Sequence, residues 1–246
     1  MSKHLNSASR LYRILQQGAA LPDNTATLKA WASLFHMEEP YGVKLSIDVS
    51  ERLLWLNQEL EILEQQLRDS STEEESHAEA LTHIGQALST VYLPTNWGNV
   101  KQFLSAETLN SLENWIEILP EDETPMRQEE LDAIRIQAGE LELLLSSSTL
   151  DEKLKLLVWK QIKAIRKALA GYSIVGARAL RTGVFSALGE LIYVEQTIQE
   201  NCDKPEVSKV VSVWEKIGHL ANSATMEEGP AKTSKNPWMG FCNPSR

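Results

Sequence analysis

Apolar residues recur at alternating steps of three and four along nearly the whole chain, and that spacing constrains the fold more than any other feature. A helix brings positions three and four apart onto one face, whereas a half-buried strand alternates at every second residue, a pattern almost absent here. Leu53, Leu56, Leu60, Leu63 and Leu67 form one such seam, and Leu131, Ile134, Ala138, Leu141 and Leu145 a second. A third runs through Leu150, Leu154, Leu157, Val158, Ile162, Ile165 and Leu169. Twelve glycines and nine prolines in 246 residues leave few strand-turn-strand opportunities. The spacing therefore predicts an all-α protein of about eight or nine helices, built as a multi-helix bundle or an elongated array of antiparallel helical hairpins.

Capping residues punctuate this pattern. Gly18 suits the end of a first helix, and Asn24 the start of a second that carries Leu28, Trp31, Leu34 and Phe35. Asp48 with Glu51, and Ser71 with Glu74, have capping-box spacing, which makes the leucine seam one arm of a hairpin. The returning arm presents Leu81, Ile84, Leu88 and Val91. Two heptads are too few for a long dimeric coiled coil, so the seam fits an antiparallel pair inside one domain. Ser105 caps a helix containing Leu112 and Ile116, with Leu104 and Leu109 placed to staple its start. Ser148 opens a long helix running to Ala170, with Gly171 as its stop. A helix over about 175–199 and a last one opened by Asp203, Pro205 and Glu206 follow. The breaker "LPTNWGN" divides a region 1–93 from a region 99–221, and the small and polar residues of 222–246 read as a tail, flexible or docking.

Gly183 and Gly189 stand inside the helix that follows Val175. An interior glycine costs about 1 kcal/mol relative to alanine, a loss tolerated where another backbone must come close. Gly176, Ala179, Gly183 and Ala187 share one small side next to the apolar side of Leu180, Val184, Leu188 and Leu191, so the glycines are expected to serve packing. No G-x-x-x-x-G-K-[ST] or G-x-G-x-x-G pattern accompanies them, and no strand precedes them, which argues against a phosphate cradle.

Charge is distributed unevenly. Eight basic and no acidic residues lie between Lys153 and Arg181, while Glu107 to Glu142 holds eleven acidic residues against Arg127 and Arg135. Lys155, Lys163 and Arg166 gather around Trp159 on the outer side of the long helix. With Arg178 and Arg181 they form a candidate partner-binding surface in which the indole offers a stacking face. The competing reading is that these cations answer the acidic helices of the same chain. Trp238 and Phe241, apolar groups in the otherwise polar "KTSKNPWMGFCNPSR", are candidate contacts on the tail.

The formal net charge of -10 disfavours tight non-specific binding to phosphate backbones or anionic membranes. The N-terminus lacks an apolar core of signal-peptide length, and no run reaches the roughly 18 apolar residues of a membrane span, so the expected address is cytoplasmic. Cys202 and Cys242 lie far apart and outside any C-x-x-C pair, and reduced thiols are expected. The E-x-x-H of Glu74 and His77, with Glu79 and His83 nearby, lacks the second motif of a di-iron bundle and reads as solvated helix-start charge. No metal, cofactor or catalytic constellation is expected.

"LDEKLKLLVWKQIKAIRKALAGYSIVGARALRTGVFSALGEL", together with "LKAWASLF" near the front, resembles the layout of an uncharacterised bacterial all-helical family. The matching positions are Trp31 and Phe35, then Ile165, Arg166, Ala168, Leu169, Tyr172, Ile174, Gly176 and Leu180, about a quarter of the chain. Members of that group look like accessory components of phage-defence or mobile-island operons, and some add membrane helices. The resemblance implies context and carries over no catalytic residue. The expectation is a non-enzymatic bacterial subunit that binds a protein partner or another copy of itself. The alternatives are RNA or DNA binding by the patch around Trp159, and an enzyme whose site is assembled from residues remote in sequence.

Overall fold

The computed structural model describes residues 5–37, 42–70, 74–224 and 242, with backbone alone for 74–76. Among the described residues there are eleven α-helices and no strand, as the spacing predicts. They are α1 Ser7–Ala19, α2 Thr27–Leu34, α3 Val43–Asp69, α4 Glu74–Ala87, α5 Gly98–Lys101, α6 Ala106–Ile118, α7 Gln128–Ser146, α8 Glu152–Val175, α9 Ala177–Tyr193, α10 Glu195–Glu200 and α11 Pro205–Ser223.

The chain divides into two units, one holding residues 1–122 and 173–175, the other 123–172 and 176–246. The break suggested near 94–98 falls instead inside the first unit. Long-range contacts hold that segment in place: Thr27 N–H donates to Thr95 O, Trp97 N–H donates to Thr25 O, and the Trp97 indole N–H donates to Gly18 O at 2.8 Å. These bonds set the start of α2 in place of the expected Asn24 cap. Gly18 accordingly lies inside the last turn of α1, where a β-carbon would sit 2.9 Å from the Trp97 ring.

In the first unit α1 packs on α3 and α6, α3 pairs with α4, and α4 with α6. All five leucines of the seam on α3 are buried, as are Ile84 and Leu88 on the returning arm, whereas Val91 is exposed. The α3 helix starts after Gly42, ahead of the expected Asp48, and the Ser71 cap lies outside the described residues. Trp31 stacks on Phe35 with ring centroids 5.4 Å apart and meets Trp97 edge-on at 5.2 Å. Inside this unit Arg10 and Glu59, both buried, form an ion pair at 2.9 Å that Asp122 completes. Burial pulls the Arg10 guanidinium down, yet the hydrogen bond to Asp122 and the charges of both carboxylates outweigh it and hold the group above its ordinary value.

The second unit packs α11 against α7 and α9, with the inward stripe of α8 in the same core. Gln161 links three of these helices: its amide donates to Glu190 at 2.8 Å and accepts from the Trp214 indole N–H at 2.9 Å. Asp151, not Ser148, caps α8 by accepting from the N–H groups of Lys153 and Leu154. The helix then passes straight through Gly171 and ends at Gly176, whose φ of 66° is open to glycine and costly for other residues. Glu123 fills the space beside Gly176 and accepts from the Ala177 N–H at 2.7 Å, so a carboxylate from the acidic turn caps the start of α9. The expected single helix over 175–199 is broken at Val194 into α9 and α10.

The two cysteines are paired. Cys202, in the turn between α10 and α11, is bonded to Cys242 with a Cα–Cα distance of 5.3 Å, which corrects the expectation of separate thiols. Sequence spacing said nothing of this contact, because forty residues separate the partners and folding alone brings them together.

Candidate interaction surface

The side of α8 turned away from the core is set by subtraction. Leu154, Val158, Gln161, Ile162, Ile165, Ala168 and Leu169 face inward, which turns the opposite side of the helix outward. Leu156, Trp159 and Lys163, at i, i+3 and i+7, then share one exposed face. Trp159 keeps 43% of its surface exposed, and Lys163 Nζ lies 3.7 Å from its ring centroid, a cation–π contact. Such contacts contribute about 0.5–1 kcal/mol at exposed sites, enough to hold an indole in one orientation.

The sequence-derived cations differ in how they are placed. Arg166 reaches across to Glu142 of α7 with both guanidinium branches, one of them at 3.3 Å. Lys155 is half-buried and lies 3.5 Å from Glu152 on its own helix. Arg178 and Arg181 belong to a different helix, α9, where both are half-buried. Trp238 and Phe241 lie outside the described residues. Part of the basic run thus answers the acidic helices of the same unit, a pattern extended by Lys209 pairing with Glu140 at 2.5 Å. Lys163 and Trp159 remain as the outward pair.

Two apolar residues join this description that charge-based reasoning passed over. Leu156 is 52% exposed on the Trp159 face, and Phe185 on α9 is 71% exposed. The signal for Leu156 was present in the sequence, since it interrupts the inward stripe of α8.

Elsewhere the candidate chemistry is engaged in structure. The Trp115 indole N–H donates to His77 Nδ1 at 3.2 Å, and His83 Nδ1 lies 3.4 Å from the Thr108 hydroxyl. A cavity of about 450 Å³ between α3 and α4 is lined by Leu60, Glu64, Leu67, Arg68, His77 and Leu81, among others. Among the described residues no three His, Cys, Asp or Glu side chains converge to hold a metal ion, and no helix is long and apolar enough to cross a membrane. The positions that carry the family resemblance are mostly core: Trp31, Phe35, Ile165, Ala168, Leu169, Ile174 and Leu180 are buried, and the Tyr172 hydroxyl accepts from the Met126 N–H. Compared with protein families, curated proteins and solved structures, the chain has no match.

Proposed function

We propose that this chain is a non-enzymatic, cytoplasmic interaction subunit that docks an acidic surface of a protein partner through the outer face of α8. The observation that supports this reading most is the exposed Trp159 ring with Lys163 set against it and Leu156 beside it. Tryptophan is enriched among residues that dominate binding energy, because it offers a large rigid area with few rotamers to immobilise. A neighbouring lysine steers acidic groups toward that area and speeds encounter. The resemblance of Trp31, Phe35 and the Ile165 to Leu180 positions to accessory proteins of phage-defence operons supports seeking such a partner among the products of neighbouring genes.

Nucleic acid is the second occupant that an aromatic ring with lysines would accept. It is the less favoured one, since Arg166 and Lys155 already face carboxylates and the whole chain is acidic. Affinity capture from the native host, comparing the wild type with the triple variant Lys155→Glu, Lys163→Glu and Arg166→Glu, tests the proposal. Loss of a co-purifying protein with unchanged helical circular dichroism is the expected result. Capture that persists at the wild-type level in the triple variant and in Trp159→Ala removes the α8 face from consideration.

A further inference from the structure

Cys202 and Cys242 are the chain's only cysteines, and they are bonded to each other. Three features of their surroundings bear on what the bond is for. Both residues are half-buried rather than fully enclosed. Cys202 sits in the turn between α10 and α11, outside any helix, where a nucleophile meets no continuous backbone ladder. The core of the second unit is formed by Leu131, Ile134, Ile165, Leu180, Val210, Trp214 and their neighbours, and the two cysteines pack against it from its margin. A half-buried crosslink at the margin of a core, anchored in a turn outside any helix, is placed for exchange.

We infer that Cys202–Cys242 is a reversible thiol–disulfide modification site, exchanged by low-molecular-weight thiols, whose state decides whether the chain's last residues are joined covalently to the turn before α11. The chemistry balances with the thiol as the only co-reactant. A small thiolate attacks one sulfur and breaks the S–S bond, leaving a mixed disulfide and one protein thiolate, which takes up a proton. A second small thiolate then attacks the mixed disulfide, releases the small-molecule disulfide, and leaves the other cysteine to be protonated. Two electrons pass to the protein, and two small thiols become one disulfide. Oxidation is the reverse sequence. In the oxidised state residues 202–242 form a closed covalent ring containing α11, and in the reduced state that ring is open. This exchange is independent of what α8 binds.

The test equilibrates the native full-length chain in a series of glutathione buffers running from fully oxidised to fully reduced. Samples are quenched with acid, alkylated and weighed intact, then digested with trypsin without reductant. The expected result is one transition from zero to two alkylated thiols. It should coincide with loss of the linked peptide pair 182–209 and 236–246, and the helical circular dichroism should be retained throughout. Two alkylatable thiols in every buffer would mean that the bond does not form. No alkylation short of added denaturant would mean a sealed structural crosslink. Helicity lost together with the bond, or a persistent glutathione adduct in place of the linked pair, overturns the inference equally.

Discussion

Gly183 and Gly189 lie six residues apart on α9 in opposite surroundings. A β-carbon at Gly183 would stand 2.8 Å from the Ala168 β-carbon and 3.4 Å from the Trp214 ring, so this glycine lets α9 approach both α8 and α11. At Gly189 nothing lies within 4 Å, and the residue is exposed. The two positions looked alike in the sequence, and only the first bears out the packing role. Gly183→Ala should therefore destabilise the protein by about 1–3 kcal/mol through overpacking. Gly189→Ala should stabilise it by roughly 0.5–1 kcal/mol, because alanine is the better helix former and meets no obstacle. Chemical denaturation of the two variants side by side checks both signs; the same sign for each would contradict the geometry.

At the scale of elements, helix interiors were legible in the sequence and helix ends were less so. Ser105 caps α6 as its pattern implies, accepting from the Thr108 N–H at 3.2 Å, because Ser-x-x-Thr geometry is local. The ends of α8 were misplaced at both sides for a different reason. Ser148 and Gly171 are adequate punctuation in isolation, but Asp151 offers two backbone bonds, and α8 runs on past Gly171 through the buried Ile174 and Val175 until Gly176 turns the chain. The disulfide adds a constraint at this same scale. Closing forty residues around α11 removes freedom from the unfolded chain, worth up to about 4 kcal/mol by chain entropy. Cys202→Ser should accordingly lower the melting temperature of oxidised protein to that of the fully reduced wild type. A variant that melts with the oxidised wild type would show that the ring contributes nothing to stability.

Across the whole molecule the charge is arranged as two opposed runs, and the second unit uses part of each against the other: Arg166 meets Glu142 and Lys209 meets Glu140. What is left outward on α8 sets the exposed apolar Leu156 and Trp159 among the exposed Lys153, Lys160 and Lys163, a mixture that suits an acidic protein surface. At about 0.15 M salt, where charges more than roughly 8 Å apart are screened, neither duplex DNA nor single-stranded RNA should shift in a gel with this protein. A salt-sensitive shift abolished by the triple charge reversal would reassign the surface to nucleic acid. The sequence alone determined the all-helical class and which side of each long helix faces inward, because a three-four period acts within a few residues and every turn repeats the instruction. Only the tertiary structure decided which glycine is a contact, that Glu123 caps α9, that Cys202 meets Cys242, which cations are answered by carboxylates, and that the chain divides after Asp122. Each of those depends on a partner tens of residues away, and no local period records which distant element will arrive.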